Sequence, residues 1–291
     1  MEVSERSKGV FPAKFINDYL WLIQYSAVGF YFLLTFGVLY SCIFVAYPQV
    51  FDTLEQKYAN IIYLMYVLCN MMGNFFLGSI TDSSFKTGYV LSDPPKTWMF
   101  CTKCNQHTPP RSHHCFICRA CVLKQDHHCF FFTRCVGLRN QKYFIPYVLY
   151  VFLGSFHALR TILVYLNTTY VPLEWSFYCI FSYLFPGPIY NWYWDYGDVT
   201  FGKFVSISVL YGCFSTTSGC LFLFVGEMFL VARGQTPYEF GKGIRKYSQG
   251  VYNNYKQVFG KLFPLNFLFP LPNKTKEEKS PWGEPTFYRS I

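Results

Sequence analysis

The amino-acid sequence predicts an α-helical membrane protein with four transmembrane helices and a polar, cysteine-rich domain between the second and third. Three observations support this fold class. Hydrophobic residues make up 52% of the 291 residues and aromatic residues 22%, while only 14% are charged. Four apolar stretches are long enough to cross a bilayer. Residues 101–140, between the second and third of these stretches, hold seven of the twelve cysteines and five of the six histidines. A soluble protein is not favoured, because too little polar sequence remains to cover four buried helices.

The four apolar stretches each satisfy the length rule for a membrane helix, which needs about 20 residues to cross a hydrocarbon core of about 30 Å. Tyrosines and tryptophans lie near their ends, where amphipathic rings prefer the lipid–water boundary. The predicted spans are Tyr19–Tyr47, Tyr58–Ile80, Tyr143–Leu166 and Phe204–Val231. In the fourth span the small residues 215–219 predict either close helix packing or the lining of a cavity.

The distribution of lysine and arginine predicts the orientation of these spans. Nine such residues fall in 81–142 and ten follow Val231, whereas the loops 48–57 and 167–203 carry one each. The positive-inside rule therefore places both termini and the cysteine-rich domain in the cytosol. We expect a multi-pass protein of an endomembrane (endoplasmic reticulum or Golgi) or of the plasma membrane. The expected domains are a cytosolic N-terminus 1–18, helices 1 and 2 in 19–80, the cysteine-rich domain 81–142, helices 3 and 4 in 143–231 and a cytosolic C-terminal region 232–291.

The lumenal loop 167–203 contains a second, weaker apolar run. Pro186 and Pro188 interrupt this run, and it is short for a transmembrane helix. We interpret it as an aromatic cap at the membrane interface, with a fifth crossing as the alternative.

The cysteine spacing in 101–140 is typical of a structural zinc domain rather than of disulfides. Structural zinc takes four thiolate or imidazole ligands, usually delivered as C-x2-C pairs, and metal thiolates fit a reducing cytosol. Two sites of three cysteines and one histidine use six cysteines, which leaves one of the seven free. The candidate cysteines are Cys101, Cys104, Cys115, Cys118, Cys121, Cys129 and Cys135.

The spacing alone does not identify the free thiol, but its neighbours favour Cys129. Asp126, His127 and His128 precede it directly, so a base and a carboxylate lie within three residues of its sulfur. An imidazole activates a thiol by taking its proton, and a carboxylate can orient that imidazole. The alternative is an irregular metal cluster in which all seven cysteines are ligands.

The whole pattern resembles the DHHC protein S-acyltransferases, also called palmitoyltransferases. The four-span topology with the cysteine-rich domain between spans 2 and 3 resembles that family as well. The motifs that carry the resemblance are Cys101-x2-Cys104, Arg111-x2-His114-Cys115-x2-Cys118-x2-Cys121, Asp126-His127-His128-Cys129 and Cys135-Val136-Gly137-x2-Asn140.

The resemblance implies two structural zinc ions and a catalytic triad of neighbouring residues. The first zinc ion would be held by Cys101, Cys104, His114 and Cys121, and the second by Cys115, Cys118, His128 and Cys135. Cys129 would then be the acyl-accepting nucleophile, His127 its base and Asp126 the residue that orients His127.

The family mechanism has two steps. A long-chain acyl-CoA acylates the catalytic cysteine, and a cysteine of a protein substrate then takes the acyl group. The resemblance therefore implies acyl-CoA as co-substrate, membrane-associated proteins with a cytosolic cysteine as partners, contact with the lipid bilayer and no nucleic-acid partner. Basic residues such as Lys124, Arg134 and Arg139 are candidates for binding CoA phosphates, or else for a solvated or lipid-facing surface.

The sequence departs from the family pattern near the nucleophile and after the fourth span. Phe130 and Phe131 replace the usual Pro-Trp, and Arg134 replaces an asparagine, which puts a permanent charge beside the expected nucleophile. Thr236-Pro237-Tyr238-Glu239 stands where the family has Thr-Thr-x-Glu, so one hydroxyl is missing. Asn254 begins a C-terminal stretch that matches the family, and we expect its side chain to bond the backbone near the membrane face.

Two other function classes remain as alternatives to an active acyltransferase. A catalytically weak or inactive zinc-stabilised membrane scaffold or adaptor would retain the metal sites and lose the chemistry, as the departures at Phe130, Arg134 and Pro237 allow. A transporter or channel is disfavoured by the small number of charges within the spans.

Overall fold

The structure is a computed structural model that describes residues 13–85, 96–194, 200–260 and 263–272. Parts of the expected segments 1–18 and 232–291 lie outside these residues. The helices are α1 (Ala13–Tyr40), α2 (Tyr47–Val50), α3 (Leu54–Ile80), α4 (Gln141–Thr169), α5 (Phe177–Tyr183), α6 (Gly187–Tyr193), α7 (Phe201–Arg233), α8 (Pro237–Gly241) and α9 (Val251–Phe259). The strands are β1 (Met99–Cys101), β2 (Gln106–Thr108), β3 (His113–Cys115), β4 (Ala120–Val122), β5 (His127–Cys129) and β6 (Arg134–Val136).

The structure confirms the four predicted membrane spans. The apolar helices long enough to cross a bilayer cover Tyr19–Val50, Leu54–Ile80, Gln141–Thr169 and Phe201–Arg233. Thr200 starts the fourth span by accepting a hydrogen bond from the Lys203 amide. Gly234 ends this span with a φ of +66° that favours glycine. The protein is therefore a multi-pass membrane protein.

The first span contains a widened turn that the sequence analysis did not predict. Residues Ser41–Ala46 form a π-helix between α1 and α2. Pro48, two residues after its end, lacks the N–H that would donate a helix hydrogen bond. The fully packed Tyr47 follows this turn, and its hydroxyl lies 2.8 Å from Nε2 of His157 on α4. This contact gives the polar ring of His157 a partner within the spans, which lowers the cost of placing it there.

The chain divides into two compact units. Described residues 13–33, 79–85 and 96–140 form the first unit, and the remaining described residues form the second. Six short strands of the first unit make three antiparallel hairpins, β1–β2, β3–β4 and β5–β6. Two-stranded hairpins of this size are marginally stable in water, and small domains with little core usually rely on metals or disulfides. We therefore expect this unit to need cross-links between its hairpins for stability.

The three hairpins have the same shape. Each has two strands of three residues and a turn of four residues between them, in the same register. The last residue of each turn has a positive φ, at Asn105 (51°), Arg119 (52°) and Thr133 (54°). The backbone of this unit therefore repeats one local structure three times.

The second unit contains close contacts between spans and between the spans and the C-terminal segment. Thr217 of α7 donates a hydrogen bond to Ser155 of α4, at 2.9 Å between the hydroxyl oxygens. This contact supports the close-packing interpretation of the small residues 215–219. The Tyr150 hydroxyl of α4 donates a hydrogen bond to the Phe267 carbonyl at 2.6 Å. This bond attaches the C-terminal segment 263–272 to α4.

The loop 167–203 forms two short helices in its described part rather than a crossing. α5 and α6 have seven residues each, and the described residues contain no fifth helix with the length of a span. The alternative of a fifth crossing is therefore wrong for the described part of the loop. Aromatic side chains such as Trp175 and Phe177 are exposed on this segment, as expected for an aromatic cap.

Three polar side chains order the region after the fourth span. Thr236 and Glu239 form a reciprocal capping box at the start of α8, and Pro237 occupies the first turn, where a missing N–H costs nothing. The substitution at Pro237 is thus compatible with the local helix. Asn254 donates to the Ala232 carbonyl at 2.8 Å and accepts from the Gln249 amide at 2.9 Å, which confirms the expected backbone bonding.

Candidate active site and metal centres

The first group of metal-ligating side chains joins two hairpins. Cys101 and Cys104 come from the β1–β2 hairpin, and His114 and Cys121 lie opposite each other on β3 and β4. From Nδ1 of His114 the three sulfur atoms lie at 3.7 Å (Cys101), 3.2 Å (Cys104) and 4.0 Å (Cys121). Ligand atoms around tetrahedral zinc, at about 2.0–2.3 Å from the ion, lie about 3.3–3.8 Å apart, so the donor set and its spacing fit zinc.

The second group joins the β3–β4 and β5–β6 hairpins in the same way. From Nδ1 of His128 the sulfur atoms lie at 3.6 Å (Cys115), 3.3 Å (Cys118) and 3.7 Å (Cys135). The Cys118 and Cys135 sulfurs are 3.7 Å apart. The eight side chains expected as ligands are therefore brought together as two groups of four, compatible with two zinc ions.

Strand geometry separates the candidate nucleophile from the second group. Successive residues of a strand point to opposite faces. His128, in the middle of β5, lies opposite Cys135 on β6 and faces the metal group, so His127 and Cys129 on either side of it face away. Cys129 belongs to neither group of four, and its residue surface is 7% exposed.

Asp126, His127 and Cys129 form a connected set. Oδ2 of Asp126 lies 2.6 Å from Nδ1 of His127, and the Asp126 side chain is 1% exposed against 36% for His127. Burial lowers the pKa of His127, but its hydrogen bonds with Asp126 and Cys129 outweigh burial and raise that pKa to about 10. An imidazolium between a carboxylate and a thiol stabilises the thiolate form of the thiol, which is the nucleophilic form.

Gln24 is a residue of this site that the sequence analysis missed. Its side-chain amide lies 2.8 Å from Nε2 of His128, the ring nitrogen that faces away from the sulfurs. The Gln24 atom in this contact is the amide nitrogen. With a metal on Nδ1, Nε2 of His128 would carry the proton, and a 180° turn of the Gln24 amide would present its oxygen as the acceptor. A glutamine within an apolar span is unusual, and this was the available signal in the sequence.

The end of the third hairpin is held by a second set of missed contacts. The fully buried Asn140 accepts from the Gly137 amide (2.8 Å) and the Ser83 hydroxyl (2.9 Å) and donates to the Cys135 carbonyl (3.0 Å). A Cβ atom on Gly137 would lie 2.6 Å from the Leu123 carbonyl oxygen, so this position has no space for a side chain. These contacts fix the strand that carries Cys135.

The basic residues proposed for CoA phosphates have different surroundings. Nη1 of Arg139 donates to the Asp82 and Ser84 carbonyls at 3.1 and 3.5 Å, and Lys124 is 8% exposed, so both belong to the folded framework. Arg134 lies directly opposite Cys129 in the β5–β6 register, and its buried Nε has no hydrogen-bond partner among the described residues. Of the three, Arg134 alone is paired with the candidate nucleophile.

The second unit contains a buried acidic residue that the sequence analysis also missed. Glu227 on α7 is 6% exposed and accepts a hydrogen bond from the Gln141 side-chain amide at 3.2 Å. The signal was available, because Glu227 is the one acidic residue of the predicted span Phe204–Val231.

Comparisons with known proteins agree with this geometry. A family model described as DHHC palmitoyltransferase matches residues 95–244. Human "Probable palmitoyltransferase ZDHHC24" is 30% identical over 211 residues, 70% of each chain. Mouse "Palmitoyltransferase ZDHHC22" is 27% identical over 72% of this chain and 75% of the relative. Over a shorter stretch of 80 residues, "Probable protein S-acyltransferase 14" of Arabidopsis thaliana is 47% identical, covering 28% of this chain and 24% of the relative. The chain therefore belongs to the DHHC palmitoyltransferase family, a family of protein S-acyltransferases.

Proposed function

We propose that this protein transfers a long-chain fatty acyl group from acyl-CoA to a cysteine of a membrane-associated protein, through a thioester on Cys129. The single observation that carries the proposal is the position of Cys129. Of the seven cysteines in 101–140, it is the one outside both groups of four, and it contacts the His127 ring that Asp126 holds.

The first step forms the acyl-enzyme. The Cys129 thiolate attacks the thioester carbonyl of acyl-CoA and a new carbon–sulfur bond forms. The bond to the CoA sulfur then breaks, and the CoA thiolate leaves with the proton held by His127. In this step Asp126 keeps the imidazolium oriented and stabilises its charge.

The second step returns the enzyme to its starting state. His127 takes the proton of the incoming substrate thiol, and the resulting thiolate attacks the acyl carbonyl on Cys129. The carbon–sulfur bond to Cys129 breaks, which leaves the substrate acylated and Cys129 as a thiolate beside protonated His127. The same two residues thus serve both half-reactions.

Zinc, when bound by the two groups of four, supplies structural cross-links between hairpins that have little core of their own. The first zinc would join the β1–β2 and β3–β4 hairpins, and the second would join β3–β4 to β5–β6. The cross-linked hairpins would then hold Cys129, His127 and Asp126 in fixed positions relative to one another.

We also propose that the chemistry takes place at the cytosolic face of the membrane. The chain runs from Cys129 into α4 after twelve residues, and the lysine and arginine distribution favours a cytosolic cysteine-rich domain 81–142 and cytosolic termini. The acyl tail of the donor belongs in lipid, whereas CoA and the protein substrate are aqueous. The proposed compartment is an endomembrane or the plasma membrane.

Acyl transfer can be tested with purified protein in detergent. Incubation with palmitoyl-CoA should add one acyl group per chain, seen as an intact-mass increase that hydroxylamine removes. Addition of a cysteine-containing acceptor peptide should then discharge the label. Two bound zinc ions without any hydroxylamine-sensitive label would instead support the scaffold alternative and refute the proposal.

A further inference from the structure

The three hairpins of the cysteine-rich domain repeat at a spacing of 14 residues. Strands β1, β3 and β5 begin at Met99, His113 and His127, and the positive-φ turn residues Asn105, Arg119 and Thr133 follow at the same spacing. The second and third copies also share sequence, HHCFICRACV at 113–122 and HHCFFFTRCV at 127–136. Equivalent positions can therefore be compared between the hairpins.

Two pairs of positions matter in each hairpin. The turn pair consists of the last residue of the first strand and the third residue after it. The ladder pair consists of the middle residues of the two strands, which lie opposite each other. The turn pairs are Cys101/Cys104, Cys115/Cys118 and Cys129/Phe132, and the ladder pairs are Phe100/His107, His114/Cys121 and His128/Cys135.

Each metal group combines the turn pair of one hairpin with the ladder pair of the next. The first group takes the turn pair of β1–β2 and the ladder pair of β3–β4, and the second repeats this arrangement one hairpin further on. The pattern is incomplete at both ends. The first ladder pair, Phe100/His107, is an aromatic contact with ring centroids 5.0 Å apart, and the last turn pair, Cys129/Phe132, belongs to neither metal group.

The last turn pair differs from the other two at one position. Phe132 stands where Cys104 and Cys118 supply the second thiol, and its side chain is completely buried. After this hairpin the chain enters α4 at Gln141, so no following hairpin supplies a ladder pair. The backbone of a metal-binding turn is thus present around Cys129 without the ligands that would complete a site.

We infer that Cys129 occupies a zinc-knuckle position that is kept free of metal because Phe132 replaces the second thiol of the turn pair. The functional meaning of this inference rests on the proposed role of Cys129 as the nucleophile. Phe132 is then a positioning residue, since its completely buried side chain stands where the second thiol of the turn pair would be and leaves the Cys129 sulfur available for acylation. A thiolate held by a metal is a weaker nucleophile, so the same turn with two thiols would oppose the chemistry.

The inference predicts that a single substitution creates a metal site. Phe132→Cys restores a C-x2-C pair on a backbone that already has the required turn. Two thiolates bind a soft divalent metal, and water would fill the positions that a ladder pair fills in the other two groups. Phe132→Ser is the matched control, because it removes the same ring and supplies a small polar group without a thiol. Phe132→Leu keeps an apolar side chain in the turn.

The probe is Cd²⁺, and the readout is total bound metal together with Cys129 alkylation. The full-length protein in detergent, loaded with zinc, is titrated with Cd²⁺, and native mass spectrometry counts all divalent ions. This total is insensitive to exchange of cadmium for zinc. We expect three ions for Phe132→Cys and two for the parent protein, Phe132→Ser and the double variant Cys129→Ala/Phe132→Cys. Cd²⁺ should slow iodoacetamide alkylation of Cys129 at least tenfold in Phe132→Cys alone.

Two results would overturn the inference. One is a Phe132→Cys protein that retains two ions but gains no third and shows no cadmium protection of Cys129. The other is loss of the two original ions in Phe132→Cys while Phe132→Leu keeps them, because a knuckle position must accept a cysteine as the first two hairpins do. Neither readout measures acyl transfer, so failure here is distinguishable from failure of the proposed function.

Discussion

Asp126 and His127 are joined by a contact of 2.6 Å between Oδ2 and Nδ1, which leaves Nε2 as the ring nitrogen available to the Cys129 thiol. The carboxylate has almost no access to solvent, and its other oxygen, Oδ1, is buried without a hydrogen-bond partner among the described residues. The pair is thus a fixed orienting unit, comparable in its roles to the base and carboxylate of other nucleophilic enzymes.

The first prediction concerns this orientation. Asp126→Asn keeps the shape of the side chain but removes its negative charge. That charge stabilises the imidazolium form of His127 and selects the tautomer of its neutral form. We expect acyl-enzyme formation in a single turnover to slow by about 10²- to 10⁴-fold, with zinc content unchanged. Asp82→Asn is the matched control in the same unit. The Asp82 carboxylate accepts a hydrogen bond from the Ser84 amide at 2.8 Å, which an asparagine oxygen can also accept, so the rate should stay within about twofold of that of the parent protein. A rate for Asp126→Asn close to that of the parent would remove Asp126 from the catalytic set.

The second prediction uses two adjacent histidines of β3. His114 faces the first metal group and His113 faces the other side of the strand, because side chains alternate along a strand. His114→Ala should therefore bind one zinc ion per chain, and His113→Ala should keep two, as counted by native mass spectrometry. Equal zinc contents in the two variants would show that the assignment of ligands to this strand is wrong.

The third prediction concerns Gln24, which links the first span to the second metal group. Loss of an outer hydrogen bond to a metal-bound histidine typically weakens metal affinity by about 10- to 100-fold. Gln24→Ala should accelerate chelator-driven release of one of the two zinc ions by a factor in this range and leave the other unchanged.

The control for Gln24 is its exposed neighbour Ile23, which is 52% exposed. Ile23→Ala should release both ions at the parent rates, and Gln24→Glu, which retains an acceptor oxygen, should restore slow release. Identical release from Gln24→Ala and Ile23→Ala would mean that the contact with His128 does not support the metal group.

The spans were predictable because the information is local. About 20 consecutive apolar residues specify a membrane helix whatever else the chain does, and all four were located from composition alone. The eight residues that the structure brings together in the two groups of four were expected from the family resemblance, and the count of six thiols for two sites already left one cysteine free. That part of the site depends on residue types and short spacings, which a sequence displays directly.

The missed features depend on contacts between distant residues or on backbone geometry. Gln24 and His128 are 104 positions apart, and nothing in the local sequence of either residue indicates the other. Arg139 was a candidate phosphate ligand because its charge is visible in the sequence, whereas its bonds to the carbonyls of Asp82 and Ser84 require the folded loop. The 14-residue repeat, by contrast, was visible in HHCFICRACV and HHCFFFTRCV, and aligning these two stretches would have placed Phe132 opposite Cys118.

The fourth prediction tests the central claim, that Cys129 carries the acyl group. The parent protein and Cys129→Ala are each incubated with palmitoyl-CoA, and the labelled thiol is located by peptide mass spectrometry without reducing agent. We expect a hydroxylamine-sensitive palmitoyl group on the Cys129 peptide of the parent protein, and no such label in Cys129→Ala, which should still bind two zinc ions. A palmitoyl thioester that persists in Cys129→Ala, or that maps to any other cysteine of the cysteine-rich domain in the parent protein, would contradict the account.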